Sequence, residues 1–335
     1  MSIHEQKTIG VLIPVRGKSP SKHPSELPIG RAALHLKSAG IRVIFGEEAV
    51  DGHLFGMEAT EEGWVPVGGT AVDAIYDRFP SQKEPLLYDR VVGRLGGVLL
   101  GNPMSLTLLC RDKLRSQRLL ESVVQMPPIV DVPASFKKSL DGFGFGFLKP
   151  RYGAFGRGVR RVVPGDDLPA QGVGTLKGVV EPMLLQQGVS PPSGYAGISV
   201  RLLTSRLPGG DWHVFPGVAR VSKQDPIINV HRGAVAVPAK DLLRGNTISQ
   251  MNNMVLSACA LLSSLPDGDL MVELGWDMMI DDNETPWMIE VNSRPRGRLE
   301  ALATAGFAGF DEQHLAATVA PMAYLSWLAT STSRT

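Results

Sequence analysis

Asp277, Glu290 and Asn292 flank a short polar stretch in "MVELGWDMMIDDNETPWMIEVN". Their types and spacing are those of a small oxygen-donor cluster. The run reads as a hairpin whose turn falls in "DDNE". Symmetric pairing about the midpoint of residues 283 and 284 sets Asp277 opposite Glu290. Glu290 and Asn292 are two apart and share a face, and cross-strand neighbours share one as well. Two carboxylates and an amide oxygen gathered among apolar residues are costly unless paired. Hard oxygen donors of this kind suit Mg²⁺, which favours carboxylates together with phosphates. The same residues would also serve as the solvent side of a half-exposed hairpin.

A second stretch, "LKPRYGAFGRGVRRV" (148–162), sets Lys149 directly before Tyr152, Gly153, Gly156, Arg157 and Gly158. Glycine permits positive φ and close approach of backbone to a ligand. A P-loop is excluded, because Val159 and not lysine follows Gly158. A dinucleotide fingerprint is excluded as well, because the β-branched "VRRVVPGD" that follows predicts a strand and not a helix. The loop therefore joins two strands. It is either a phosphate-covering lid, its N–H groups turned to anionic oxygens, or an ordinary hairpin tip.

"NSRPRGR" places Arg294, Arg296 and Arg298 just beyond the oxygen donors, and Arg16 and Arg78 follow strand-like runs. Arginine reads carboxylates bidentately, which makes an amino-acid or peptide substrate a natural fit; surface solubility is the other use of such residues. The seven histidines are scattered, and only His231, in "NVHRGA", falls near a candidate site. No Ser-His-Asp or Cys-His arrangement is evident.

The elements that must position these residues change character along the chain. "TIGVLIPV", "IGRAALHLKSAG" and "IRVIFG" form a strand–helix–strand unit, with Gly40 as the helix stop. "AVDAIYDRF" is a further strand and "EPLLYDRVVGRLG" a helix; "NPMSLTLLCRDKLRSQRLLES" is helical until "MPPIV" breaks it. From about residue 142 short apolar runs separated by Gly and Pro predict a mostly antiparallel region. It also holds the helix "NTISQMNNMVLSACALLSSL" and a closing amphipathic helix, "DEQHLAATVAPMAYLSWLA". The 335 residues exceed what one core usually serves. The net charge of +1 argues against a global nucleic-acid or membrane footprint. Cys110 and Cys259 stand alone in apolar settings and read as buried thiols. The opening residues carry no signal-peptide pattern, so a cytoplasmic location is expected.

A lysine in a helix ("RDKL"), a lysine on a strand ("LKP"), a glycine lid and a carboxylate hairpin occur in that order. This order resembles the ATP-grasp superfamily. Asp277, Glu290 and Asn292 reproduce the metal-ligand order and spacing of its D-alanine ligases. In wording, "AIYDRFPS", "LQQGV", "VARV", "INVHRGA" and "VELGWD…PWMIEVNSRPRGR" are similar to the bacterial spore-coat-associated ATP-grasp group.

The resemblance implies an α/β N-terminal (pre-ATP-grasp, βαβ) domain, 1–105. An α+β ATP-grasp fold of two subdomains would follow, 106–187 with the lid and 188–330 with the metal site and last helix. It implies ATP and Mg²⁺, as two ions, as cofactors. Lys113, Lys149 and the lid residues Tyr152, Gly153, Gly156, Arg157 and Gly158 would hold phosphates. Gln186 and Gln187, in "LLQQGV", would flank the adenine. Asp277, Glu290 and Asn292 would bind metal. Arg201, Arg220 and Arg294 would be the catalytic arginines, the first two at the transferring phosphoryl group. The implied reaction is carboxylate–amine ligation through an acyl phosphate, on small-molecule or peptide substrates, with no nucleic acid or membrane partner and a homo-oligomer left open. A small-molecule kinase and a non-catalytic ATP-binding or coat-associated protein are the alternatives. One departure stands out: "SPPSGYAG" has no acid where many members bind the ribose, leaving Ser190 or Ser193 to substitute.

Overall fold

The computed structural model describes residues 6–13, 20–79, 85–132, 135–153, 156–168, 174–176, 179–228, 233–295 and 299–332. Arg16, His231, Arg296 and Arg298 lie outside the described residues.

The first sheet is built from β1 (Lys7–Leu12), β2 (Ile41–Val50), β3 (His53–Thr60), β4 (Gly63–Ala71), β5 (Ala74–Asp77) and β6 (Leu99–Gly101), with α1 (Pro28–Ser38) and α2 (Pro85–Leu95) in its connections. Its order is β4-β3-β2-β1-β5-β6. β1 pairs in parallel with β2 and β5, as a strand–helix–strand unit requires, and β3 and β4 extend the edge as antiparallel strands. Strands covered on both faces must be apolar throughout, which explains "IGVL". Ile9 and Val11 pack with α1 on one side, and Leu12, Ile44 and Ile75 pack with α2 on the other.

α3 (Met104–Arg111) and α4 (Lys113–Leu120) lead into the second sheet, with Asp112 between them capping α4 by accepting from Leu114 N and Arg115 N. That sheet orders β7 (Ile129–Asp131), β12 (Met183–Gln187), β8 (Gly146–Pro150) and β9 (Arg160–Val162). α5 (Phe136–Phe143) covers one face through Phe136 and Leu140, packed on Leu148, Val162, Met183 and Leu185. β10 (Gly174–Leu176) and β11 (Val179–Glu181) form a separate hairpin.

The third sheet holds β13 (Gly197–Arg206), β14 (Trp212–Val214), β15 (Val218–Ser222), β16 (Val235–Pro238), β17 (Glu273–Ile280) and β18 (Pro286–Asn292). Leu274, Trp276, Met278 and Ile280 alternate along β17 and enter a core with α6 (Gly245–Ser263), α3 and α4. Within that core the Trp276 indole donates to Thr204 Oγ1 at 3.0 Å, so its one polar atom is satisfied. α7 (Leu299–Thr304) covers part of the opposite face.

The last helix, α8 (Phe310–Thr332), differs from the amphipathic expectation. It is buried on two sides: Met322, Tyr324 and Leu325 enter the core of the first sheet, and Phe310, Ala317 and Ala320 enter the cluster under the third. A helix wedged between two layers needs apolar residues around most of its circumference. Among the described residues no helix is long and apolar enough to cross a membrane, and both cysteines are buried free thiols.

Candidate functional site

With Trp276 and Met278 turned into the core, the odd-numbered residues of β17 face the other way. On that face Arg201 of β13, Asp277 of β17 and Glu290 of β18 stand in one cross-strand row. The Asp277–Glu290 pairing is the one the hairpin symmetry predicts, but the symmetry does not persist. The register shifts after Asp277, so Met278 faces Met288 and Ile280 faces Pro286. A bulge therefore lies beside the site, returning Glu290 and Asn292 to the face of Asp277. The turn is held by Asp281, whose Oδ1 accepts from Asn283 N at 2.9 Å and Thr285 N at 2.7 Å.

Asp277 is the hub of this row. Arg201 donates to both of its oxygens, at 2.8 and 2.5 Å, Arg220 to Oδ1 at 2.8 Å, and Asn292 Nδ2 to Oδ2 at 3.3 Å. Burial works to raise the Asp277 carboxyl, but the two guanidiniums outweigh it and hold the group below the usual carboxylate range. Gly275 makes room for this pairing: a Cβ there would lie 2.9 Å from Arg201 NH1 and 2.6 Å from Pro295 Cβ. Arg201 and Arg220 thus sit beside the carboxylates, as expected from neighbouring strands.

The lysines arrive from the second sheet and α4. Lys149, 5% exposed, donates to Gln186 Oε1 at 2.6 Å. Burial pushes its ammonium down to about 8, opposed by nearby Glu290 and reinforced by nearby Lys113. Lys113, in the first turn of α4, donates to the carbonyl of Gly153 and lies 3.9 Å from Glu290 Oε2. The glycine stretch does join two antiparallel strands, with Leu148 opposite Arg160. Its base is pinned where Arg151 forks onto both oxygens of Asp112, at 2.7 and 2.6 Å. Tyr152 lies between the guanidiniums of Arg111 and Arg151, at 5.8 and 5.4 Å. Gly156, Arg157 and Gly158 are exposed at the tip. Gly158 has φ +70°, and a Cβ there would come within 3.0 Å of Pro150 Cγ, so the turn calls for glycine twice over.

Two of the expected site residues are engaged within the chain itself. Gln186 is buried, and its side-chain amide is bonded to Lys149 and to Gln117. Gln187 is half-buried, its N–H donating to Pro128 O. Arg294, expected among the catalytic arginines, is turned toward the first sheet. It donates to Phe79 O at 2.7 Å and pairs with the fully buried Asp77 carboxylate, which also accepts from Tyr88 and Phe79 N. Arg78 is likewise engaged, by Glu273 at 2.5 Å and Pro295 O at 3.0 Å. Burial raises the carboxyls of Asp77 and Glu273 against the pull of these arginines. Together with Asn102, which binds backbone at Val272 and Glu273, these groups lock the first sheet to the third. Sequence reasoning missed this lock, the Asp112–Arg151 pin and Gln117. Only Gln117 carried a local signal, lying one helical turn after Lys113.

Residues 173–328 match the family model described as YheC/D like ATP-grasp. The fold compares along 98% of this chain with D-alanine–D-alanine ligase from Bacillus anthracis, covering 100% of that chain at TM-score 0.58 and 15% identity. This is an ATP-grasp fold. VanG D-Ala:D-Ser ligase from Enterococcus faecalis shares the ATP-grasp architecture over 96% of this chain and 100% of its own, at TM-score 0.59 and 11% identity. N5-carboxyaminoimidazole synthetase from Staphylococcus aureus, solved with ADP, does so over 94% and 77%, at TM-score 0.54 and 16% identity. No curated protein matches the chain.

Within this ATP-grasp fold the donor chemistry fits Mg²⁺. No group of three or more His, Cys, Asp or Glu side chains gathers among the described residues. A hard ion here would therefore rest on Asp277, Glu290 and the Asn292 amide oxygen, completed by ligand oxygens. Lys113, Lys149, Arg201 and Arg220 are four cations facing two carboxylates, an excess of two positive charges. That balance favours a metal arriving with an anionic ligand over a bare cation.

Proposed function

We propose that the chain is an ATP-dependent, Mg²⁺-requiring ligase that joins a carboxylate, from an amino acid or peptide, to an amine through an acyl phosphate. The observation that carries this reading is the cationic excess around the Arg201–Asp277–Glu290 row, beneath a glycine loop pinned to Lys113. A triphosphate supplies the negative charge that such a site lacks.

In this reading Lys149, steadied by Gln186, and Lys113 meet phosphate oxygens. Arg201 and Arg220 hold Asp277 in place and present their remaining N–H groups to charge developing on the transferred phosphoryl group. Asp277, Glu290 and Asn292 would hold Mg²⁺, which neutralises phosphate charge when bound. The substrate carboxylate oxygen attacks the terminal phosphorus and ADP leaves. The amine then attacks the acyl carbon, loses a proton, and inorganic phosphate departs. Positioning and charge neutralisation suffice for these steps. With Arg294 and Arg78 engaged in the lock, Arg16, Arg296 and Arg298 are the other arginines that the sequence offers for reading a substrate carboxylate.

The test is release of ADP and phosphate from Mg-ATP against pools of amino acids and short peptides, beside a Glu290→Ala control. Pool-dependent release of both, lost in the control, supports the ligase. ADP without phosphate would replace it with a kinase.

A further inference from the structure

Lys149 sits at the end of a buried relay that starts two elements away. Gln117 Nε2 donates to Pro127 O at 2.7 Å, Gln186 Nε2 donates to Gln117 Oε1 at 3.2 Å, and Lys149 Nζ donates to Gln186 Oε1 at 2.6 Å. The ends have fixed polarity: a proline carbonyl only accepts and an ammonium only donates. Each amide between them therefore has one satisfying orientation. Turning Gln117 over would set its oxygen against Pro127 O and its NH₂ against the NH₂ of Gln186. All three side chains are shut away from water, with Gln117 2%, Gln186 4% and Lys149 5% exposed, so no solvent molecule restores a lost bond cheaply.

We propose that Gln117 is a positioning residue for Lys149, holding the Gln186 amide with its oxygen toward the ammonium and so fixing where that ammonium points. One N–H of Lys149 is committed to Gln186; the others are left for a ligand. Gln117 stands one turn after Lys113 on α4, and side chains four apart share a helix face. A single helix thereby sets both lysines, one directly and one through two amides. The expected effect on nucleotide binding rests on the function proposed above; the relay itself does not.

Gln117→Met keeps the side chain's length and bulk while removing both hydrogen bonds. Two measurements test it: ATP affinity by equilibrium dialysis, and acetylation of Lys149 by acetic anhydride without nucleotide, read by peptide mass spectrometry against the exposed Lys138. We expect ATP binding about tenfold weaker, the cost of one hydrogen bond to a charged group. No further loss should follow when the change is added to Lys149→Met. Relative acetylation of Lys149 should shift by about fivefold, as loss of a bond of roughly 1 kcal/mol implies. Additive losses in the double variant, or unchanged acetylation, would overturn the assignment. If the native protein fails to bind ATP, the nucleotide reading falls and acetylation alone decides for Gln117. Gln117→Leu, another good helix former without either hydrogen bond, replaces Gln117→Met should that variant not fold.

Discussion

Lys113 Nζ lies 3.9 Å from Glu290 Oε2 while its ammonium also holds the carbonyl of Gly153. One cation from α4 thus touches both the base of the glycine loop and the carboxylate hairpin. Anything that draws Lys113 toward phosphate alters both contacts together.

Glu290 lies at the partly exposed end of the charged row, so its removal should act on function far more than on folding. Glu290→Ala is expected to lower turnover by more than about a hundredfold, the scale of losing a charge-positioning group. Its melting temperature should stay within about 2 °C of the native value. A steady-state assay and a thermal melt check both halves; a fully active variant would remove Glu290 from the site.

Asp277 should behave in the opposite way. Asp277→Ala leaves Arg201 and Arg220 side by side without their common counter-ion, at a cost of about 3–5 kcal/mol. Its folded pKa is depressed, so the native residue stabilises the protein at pH above the ordinary carboxylate value. That stabilisation is lost as pH falls through the folded one. Urea unfolding of native and variant protein at neutral and acid pH should show a gap that narrows on acidification.

Lys149 sets an alkaline window. Between about 8 and its ordinary value of 10.5 the unfolded chain holds a proton that the folded chain has lost. By linkage, stability attributable to this residue rises with pH across that window. In the proposed role Lys149 meets phosphate as the ammonium, so ATP affinity should fall above pH 8 and binding there should take up a proton. Calorimetry at pH 8.5 in two buffers of different ionisation heat measures the uptake, and Lys149→Met should abolish it.

The pair Arg294–Asp77 is expected to act on stability and domain docking. Arg294→Ala strands a fully buried carboxylate and should destabilise by about 3 kcal/mol or more. Arg294→Lys should not restore the loss, because a single ammonium cannot span Phe79 O and Asp77 as the guanidinium fork does. Denaturant melts of the three proteins decide; full rescue by lysine would refute the fork.

In the proposed ATP site, the segment after Gln187 predicts sugar tolerance. Gly188–Ala196 is described throughout and carries no acid, and Ser190 and Ser193 are exposed. Losing a hydroxyl that meets only neutral partners costs about 1 kcal/mol. Turnover with dATP should thus stay within roughly tenfold of that with ATP.

The site was more legible than its surroundings, for physical reasons. Asp277 and Glu290 could be paired from symmetry only because two departures cancel: the turn centres half a residue earlier than the sequence suggests, and the bulge between it and the pair restores the register. The lid strands were readable because Gly156 and Gly158 punctuate β-branched residues. The antiparallel strands β3 and β4 went unread, since "VPVGGT" mixes Pro and Gly into an edge strand. Arg294 and Gln186 were assigned by residue type and neighbourhood. Their partners, Asp77 and Gln117, stand 217 and 69 positions away, where no local spacing points.

The position of α8 bears on how the chain acquires its structure. Met322, Tyr324 and Leu325 complete the apolar layer over β1 and β5, strands that leave the ribosome more than two hundred residues earlier. Until α8 is synthesised that layer lacks its cover, and the first sheet is an unfinished folding unit despite its contiguous sequence. Nascent chains ending before Phe310 should expose the sheet to chaperones, with native packing gained late and all at once.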